Sequence, residues 1–425
     1  MYKNIIWHAV KKMGNLAFAI ILLMIIILYS ILGTLIEQEK EIEYYQNHYF
    51  YNNKPFFSII GKCILYLQLD HVYTSWIFVF LLIILGFSLI ICTFSTQLPS
   101  MNYARKWKFR KYYNQEFIST GFQYKLTVYS SILYILMKNN YNVFHQKKYV
   151  YGYKGLVGRL SPICVHISLI ILLMGSLVTF FGGFIVQEMI PVGEEFHLQN
   201  VVKSGLFSNI PKNFFGKVTD FGIDYYDNKD IKQFYTKLIF LQHNNIINTE
   251  ILSVNKPITI DNLRFYQTDW QVSGLRIEIN NVPIQIPVYK LDNNNQNFWL
   301  SNLSYDKDIQ FYIIFSNIDN KIFLYSKVGT LICNMRLNQA IVLNHTELKI
   351  LDIIKSTGLQ VKQDPGTLLV YLGFVFLIIS TAGSYITYSQ VWVTILPFNI
   401  YLSGFTNRAD VSFEKEFILF FKYIN

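Results

Sequence analysis

Four long apolar segments divide this sequence into hydrophobic and polar parts. The segments span residues 16–33, 75–93, 162–186 and 368–388, and none of them contains Asp, Glu, Lys or Arg. Each approaches or reaches the ~20 residues that a helix needs to cross the hydrocarbon core of a bilayer. The pattern predicts an integral membrane protein with four transmembrane helices.

The region between the third and fourth apolar segments, residues 187–367, has a different pattern. Short runs rich in β-branched and aromatic residues, or alternating apolar with polar, are separated by turn-forming clusters such as Asn280-Asn281. These features predict a mainly antiparallel β domain outside the membrane, with a sandwich or half-barrel as the favoured form. The predicted strands are residues 234–241, 258–265, 275–279, 284–289, 309–315 and 321–325.

The charge distribution orients the predicted helices. Residues 99–161 hold eleven Lys and Arg against one acid, Glu116, and dominate the formal net charge of +10. Residues 34–74 hold three bases and five acids, and residues 187–367 hold seventeen bases and eighteen acids. By the positive-inside rule, the N-terminus, the basic loop and the C-terminal tail lie on the side of synthesis. A basic loop between two membrane helices on that side requires no nucleic-acid partner, so we expect none.

The predicted fold class is therefore a membrane α-helical protein with four transmembrane helices and a large mainly-β domain inserted between helices 3 and 4. Within the basic loop, the sequence predicts a helix at residues 128–138 followed by a strand at residues 142–149. The predicted parts are residues 1–98 with helices 1 and 2 and a short loop, the basic loop 99–161, helix 3 at 162–186, the β domain at 187–367, helix 4 at 368–388 and the tail at 389–425.

Sequence motifs exclude several classes of function. The four cysteines form no CxxC or CxxCH, so the chain is neither a thioredoxin-like reductant nor a carrier of covalently attached haem. The sequence contains no Walker motif, GxSxG, HExxH or GxGxxG, which argues against a hydrolytic or nucleotide-driven enzyme. The cysteines are Cys63, Cys92, Cys164 and Cys333.

His166 is the one histidine inside an apolar segment, and it is the main candidate for a functional site. It follows Arg159 by seven residues, so it lies about 10 Å along the helix from the basic side. One interpretation is an interhelical hydrogen bond, worth on the order of 1 kcal/mol. The other is a metal ligand, with haem iron the most plausible metal in an apolar membrane pocket. Arg159 and Lys154 would then lie where the haem propionates leave the hydrocarbon.

The third segment also carries a pattern for contact between helices. His166 lies nine residues from Gly175, which is two and a half helical turns, so the two residues lie on opposite sides of the helix and face different neighbours. This favours a helix placed between two others. Small residues recur at intervals of four, which lets helix backbones approach closely; they are Gly175, Thr179 and Gly183 in the third segment and Ser380 and Ser384 in the fourth.

Several short segments, taken in order, carry a resemblance to a known family. They follow the first span, enter and leave the second, lie in the third, and recur in the β domain and the tail. The segments are Leu35-Ile36-Glu37-Gln38, Leu69-Asp70-His71-Val72-Tyr73, Cys92-Thr93-Phe94-Ser95-Thr96-Gln97-Leu98-Pro99, Gly158-Arg159-Leu160-Ser161-Pro162, Val165-His166-Ile167-Ser168, Phe265-Tyr266-Gln267-Thr268-Asp269-Trp270, Ser356-Thr357-Gly358-Leu359-Gln360 and Phe413-Glu414-Lys415-Glu416-Phe417. With these segments the sequence resembles plastid members of the ResB-like family, also called CcsB.

The resemblance implies a function in System II cytochrome c maturation. It implies a multi-pass protein of the plastid thylakoid membrane, with both termini in the stroma and the β domain in the lumen. A partner of the CcsA type, a haem-handling membrane protein with a tryptophan-rich WWD segment, would share a transient haem b and deliver it, reduced, to apocytochromes c. His166 matches the family histidine that is thought to ligate haem. The six tryptophans of this chain are scattered, so the chain would be an accessory half of a synthase.

Two other functions remain open from the sequence. One is a haem transporter, although the sequence shows few spans and no inverted repeat. The other is a membrane scaffold in which His166 only packs. Haem binding through His166 would distinguish a synthase subunit from a membrane scaffold.

Overall fold

The computed structural model describes residues 8, 10–40, 42–45, 61–62, 64–99, 101, 126–227, 231–242, 245–293, 296–306, 309–316, 322–343, 346–395 and 400–424. The chain forms two compact units. The first combines Met1–Phe180 with Gly366–Asn425, and the second is Phe181–Pro365.

Six helices of the described part have defined bounds, and four of them are long and apolar enough to cross a membrane: α1, α2 with its π-helical extension Thr93–Gln97, α4 and α5. The four predicted transmembrane helices are therefore present. Two begin at polar caps, because Asn15 Oδ1 accepts from Ala17 N and Ser75 Oγ accepts from Phe78 N. The helices are α1 (Leu16–Leu35), α2 (Trp76–Cys92), α3 (Leu126–Lys138), α4 (Leu156–Gly182), α5 (Thr367–Ser384) and α6 (Asp410–Ile424).

The bounds of the third and fourth spans differ from those predicted at residues 162–186 and 368–388. Helix α4 begins six residues earlier, because helical hydrogen bonding extends beyond the apolar run and includes Arg159. It ends at Gly182, because Phe184 and Val186 belong to a strand and are buried in the β region. Helix α5 ends at Ser384, and Tyr388 is buried beside the strand that follows.

Twenty strands are assigned within the described residues. They are β1 (Asn142–Gln146), β2 (Tyr149–Lys154), β3 (Phe184–Pro191), β4 (Glu195–His197), β5 (Val201–Ser204), β6 (Phe215–Tyr225), β7 (Ile231–Gln242), β8 (Asn245–Ser253), β9 (Ile258–Ile260), β10 (Leu263–Ile279), β11 (Val282–Pro287), β12 (Tyr289–Asn293), β13 (Gln296–Asp306), β14 (Ile309–Ser316), β15 (Ile322–Ser326), β16 (Leu331–Met335), β17 (Ala340–Leu343), β18 (Thr346–Gln363), β19 (Ser389–Ile395) and β20 (Ile400–Thr406).

Strands β3 to β18 lie in chain order between α4 and α5 and form three antiparallel sheets. The largest has the order β11-β10-β18-β3-β5, with β9 beside β10 and β17 beside β18. The second has the order β12-β13-β14-β15-β16, and the third β4-β6-β7-β8. The region is therefore mainly β and antiparallel, as the sequence predicts.

Two hydrophobic cores hold the three sheets together. The long strands β10 and β18 pair from Arg264 with Lys362 to Ile279 with Leu348, and they contribute side chains to both cores. The first core lies with the five-stranded sheet and includes Leu275, Trp299 and Ile313. The second lies with the four-stranded sheet β4-β6-β7-β8 and includes Phe240, Phe265 and Val361. The favoured sandwich form thus occurs twice around one pair of strands.

The predicted strands agree with the structure in four of six cases and need correction in two. Residues 234–241, 275–279, 309–315 and, where described, 321–325 fall in β7, β10, β14 and β15. The segment 258–265 is a hairpin instead of one strand, because Asp261 and Asn262 have positive φ and turn the chain. The segment 284–289 crosses from β11 into β12, which belong to different sheets.

A small α/β domain in the first unit combines part of the basic loop with the tail. Its sheet has the order β1-β2-β19-β20, and α3 and α6 pack on it around Leu136, Val391 and Phe417. The predicted helix at residues 128–138 is confirmed as α3. The predicted strand at residues 142–149 is a hairpin of β1 and β2, with Lys147 at positive φ in the turn. The basic residues at 102–125 all lie outside the described part.

Candidate functional site

Helix α4 lies between α2 and α5 and presents a different face to each. Towards α5, a Cβ on Gly175 would meet the Val370 backbone nitrogen at 2.9 Å, so only glycine permits this approach. Towards α2, His166 contacts Thr93 and Phe180 packs edge-on against Trp76 with ring centroids 5.8 Å apart. The predicted placement of helix 3 between two neighbours is confirmed.

Residues Arg159, His166, Leu173 and Phe180 follow one another at intervals of seven along α4. Seven residues turn a helix by nearly two full turns, so these side chains form one row along the same face. His166 and Phe180 show that this row faces α2. Arg159 therefore precedes His166 on the same face, about 10 Å along the helix axis.

Thr93 is the polar side chain in contact with the His166 imidazole. The Thr93 hydroxyl donates its hydrogen to the Leu89 carbonyl at 2.7 Å, so it can only accept from the histidine. His166 Nδ1 lies 3.5 Å from Thr93 Oγ1, at the outer limit of hydrogen bonding. The contact favours the tautomer with the proton on Nδ1 and leaves the lone pair on Nε2, for which the described residues supply no hydrogen-bond partner. Ligating histidines commonly have this arrangement, in which the second nitrogen donates to a protein acceptor.

Both backbones at this contact are irregular. Thr93 begins the π-helical turn Thr93–Gln97, which widens the end of α2 opposite His166. Pro162 lies four residues before His166 and has no N–H to donate to the Gly158 carbonyl. Turns of the π type occur frequently at functional sites, so the irregularity independently marks this place on the helix pair.

Arg159 is held by an aromatic cluster at the basic end of α4. Its Nη1 donates to the Tyr388 hydroxyl at 3.0 Å, and its guanidinium lies 4.9 Å from the centre of the Tyr388 ring. Gln390 Nε2 donates to the same hydroxyl and to the Tyr151 hydroxyl at 2.6 Å. Burial is the main reason that the pKa of Tyr151 is raised. Arg159 has a single neutral hydrogen-bond acceptor in this cluster, so its charge can still serve an anion.

Lys154 has a different environment from the one that the sequence predicts. Its Nζ lies 2.7 Å from Glu416 Oε1, and the Tyr141 hydroxyl donates to Glu416 Oε2 at 3.0 Å. Burial, followed by the effects of Glu416, raises the pKa of Tyr141. The Lys154 charge is therefore already matched by a carboxylate that ties β2 to α6. The structure favours Arg159 over Lys154 as a neighbour for a propionate.

His71, in the segment Leu69-Asp70-His71-Val72-Tyr73 before α2, also has a fixed ring. Its Nδ1 lies 2.8 Å from Asp70 Oδ2, and the side chain remains 39% exposed. It lies just before α2, whereas Thr93 lies just after it, so the two oriented imidazoles are near opposite ends of that helix. The rise of an α-helix puts these ends about 27 Å apart. In the sequence, the aspartate directly before His71 is the feature that indicates an imidazole with a fixed orientation.

The segment before α2 is positioned by Gln38. Its Nε2 donates to the carbonyls of Gly33 and Leu69, and its Oε1 accepts from Val72 N at 2.9 Å. One side chain thus joins the end of α1 to the start of α2 and supports the turn that carries His71. Gly33 is required here, because a Cβ would lie 2.8 Å from Val72 Cβ.

The other candidate groups offer no chelating site. Cys92, Cys164 and Cys333 are free thiols, and burial raises the pKa of Cys333, while Cys63 lies outside the described residues. His145 is hydrogen-bonded to the Lys147 carbonyl, as expected for a surface histidine. No three His, Cys, Asp or Glu side chains converge to hold a metal ion anywhere in the part that the structure describes. A lone imidazole suits a metal that arrives with its own equatorial ligands, as haem iron does.

Comparison with known proteins covers almost the whole chain. The ResB-like family matches residues 16–343 and 316–418. The chain is 44% identical over 421 residues to the cytochrome c biogenesis protein Ccs1 of Gracilaria tenuistipitata var. liui, covering 98% of this chain and 97% of that protein. It is 41% identical to Ccs1 of Pyropia yezoensis, covering 98% and 96%. It is 37% identical to the cytochrome c biogenesis protein CcsB of a Picosynechococcus species, covering 97% and 91%. The chain belongs to the ResB-like family.

Proposed function

We propose that this chain is a membrane component of c-type cytochrome biogenesis that holds haem through Nε2 of His166. Support for the process comes from relatives named cytochrome c biogenesis proteins, which align over nearly the full length of this chain. Several of these relatives come from plastid-bearing algae, which supports a plastid thylakoid location. The basic loop and tail would face the stroma, and the β region would lie in the lumen.

The observation that carries the haem proposal is the contact of His166 with Thr93. This contact favours the tautomer with the lone pair on Nε2. The residues that follow His166 on the same face of α4, Leu173 and Phe180, are apolar. The residues fit haem as cargo: an imidazole in apolar surroundings, with a cation on the same face. The chain would bind and orient the haem, whose iron supplies the redox chemistry of attachment. Arg159 would hold a propionate carboxylate near the basic end of the helix.

The remainder of the haem site would come from a partner. His166 would supply one ligand to the haem iron, and another would come from a CcsA-type membrane protein with a WWD segment. The β region would dock that partner or an apocytochrome c, which receives the haem on the lumenal side. This chain would thus be the accessory subunit of a shared haem lyase, and we assign it no catalytic residue.

Removal of the imidazole tests the proposal. The chain co-expressed with its partner should purify with a haem Soret band, and His166→Gly should lose that band because no side chain remains to ligate iron. Exogenous imidazole should restore it by filling the space of the missing ring. His145→Gly is the matched control, since His145 is hydrogen-bonded to a carbonyl outside the membrane helices, and it should keep its haem.

The same experiment distinguishes the other functions. If haem content were unaffected by His166→Gly, His166 would be a packing residue and the scaffold would be the better description. A haem transporter without a ligand role for His166 would likewise keep its haem in this variant. Loss of haem that imidazole does not restore, in a variant that still folds and binds its partner, would contradict a direct ligand role.

A further inference from the structure

A short loop after β5 exposes two large apolar side chains beside the end of a membrane helix. Leu206 is 68% exposed and Phe207 is 79% exposed, next to Val202 at 54% in β5. Side chains of this size are normally buried in a water-soluble domain, and adjacent exposed ones mark a surface that meets something apolar. The position of the loop identifies this apolar environment.

The loop is tied by its backbone to the last turn of α4. Phe207 N donates to the Phe181 carbonyl at 2.8 Å, and Gly205 N donates to the Gly183 carbonyl at 2.9 Å. The rings of Phe181 and Phe207 pack with centroids 6.0 Å apart. These bonds satisfy carbonyls at a helix end that have no partner within the helix. They also hold Leu206 and Phe207 at the depth of the last apolar residues of α4.

We infer that Leu206 and Phe207 form a membrane wedge that inserts into the interfacial layer of the bilayer around α4. The occupant is lipid, because the exposed surface is continuous with a helix whose apolar length is long enough to cross a membrane. Apolar and aromatic side chains at this depth bury their surface among headgroups and upper acyl chains. The wedge would anchor the first strands of the β region to the membrane surface, independently of any haem bound at His166.

Fluorescence quenching by lipids tests the wedge. The full chain carrying Phe207→Trp is placed in nanodiscs of phosphatidylcholine, with or without bromine on the upper acyl chain, and the parent chain's emission is subtracted. The added tryptophan should emit at shorter wavelength than in water and lose emission in the brominated lipid. Leu206→Trp is a second, independent reporter. Val328→Trp is the matched control, because Val328 is 88% exposed in the turn between β15 and β16 and should emit as in water without quenching.

Either of two results would overturn the inference. Water-like emission that brominated lipid does not quench, in both Leu206→Trp and Phe207→Trp, would show that the loop is in solvent. Emission at short wavelength without quenching would show that protein covers it instead of lipid. Neither the emission wavelength nor the quenching depends on haem. A negative result for the membrane wedge is therefore distinguishable from a negative result for the haem proposal.

Discussion

At the scale of single residues, the proposed ligand role of His166 depends on its neighbour Thr93. A histidine side chain has two neutral tautomers, and a ligand needs the lone pair on the nitrogen that faces the metal. The Thr93 hydroxyl is already a donor to Leu89, so its contact favours the tautomer with hydrogen on Nδ1. Thr93 belongs to a π-helical turn, which places this hydroxyl opposite His166. The second residue of the site is thus a threonine on another helix.

Removal of the Thr93 hydroxyl should weaken haem binding without removing the ligand. Thr93→Val keeps the shape of the side chain but leaves Nδ1 of His166 without its acceptor. Loss of such a supporting partner typically lowers metal affinity by about 10–100-fold. Haem titration of the purified chain with its partner, followed by Soret absorbance, measures this. Thr93→Ser keeps the hydroxyl and is the control. Equal affinity in Thr93→Val and the parent chain would show that Thr93 does not orient the ring.

At the scale of elements, the basic loop and the tail are joined through strands that are distant in sequence. Tyr151 of β2 pairs with Trp392 of β19, although some 240 residues separate them. Glu416 of α6 strengthens the connection by binding Lys154 and Tyr141. The described part of the basic loop and the tail therefore form one folded domain that ends at the start of α4, close to Arg159.

Loss of the Glu416 carboxylate should loosen this domain. In Glu416→Ala the Lys154 ammonium and the Tyr141 hydroxyl both lose their acceptor. Both partners of the ion pair are partly exposed, so we expect a cost of only about 1 kcal/mol. Amide hydrogen exchange in α6 and β19 of the full chain should accelerate about fivefold. Glu414→Ala, an exposed position on the same helix, should leave exchange unchanged. If exchange in Glu416→Ala were as slow as in Glu414→Ala and in the parent chain, the structural role of Glu416 would be contradicted.

The elements also show what could be predicted from the sequence. The transmembrane helices follow from apolar runs alone, because bilayer thickness sets their length. The apolar residues Phe184 and Val186 extend such a run, yet they form a strand, since hydropathy does not distinguish lipid from a protein core. The pairing of β2 with β19 has no local signal, because only the folded chain brings these segments together. His166 was identifiable from its setting, but Thr93 was not, since a threonine in an apolar run is common.

At the scale of the whole molecule, charge and apolar length together imply a topology with two different environments. The basic residues are concentrated in the loop and flank the small α/β domain, whereas the β region is nearly balanced in charge. The first unit contains the four long apolar helices and the second unit contains the three sheets of the β region. Helix α4 connects the described end of the basic loop to the β region, so by the positive-inside rule we expect the two to lie on opposite sides of the membrane.

Cysteine accessibility in sealed vesicles tests this topology. In a chain whose native cysteines are replaced by alanine, Val328→Cys reports on the β region and Lys415→Cys on α6; both positions are exposed. A membrane-impermeant maleimide added outside vesicles with the basic-loop face outward should label Lys415→Cys only, because the thiol at residue 328 would face the vesicle interior. Detergent should expose both thiols to equal labelling, which controls for intrinsic reactivity. If both thiols reacted before detergent, the β region and the tail would share one side, and delivery of haem across the membrane through α4 would be excluded.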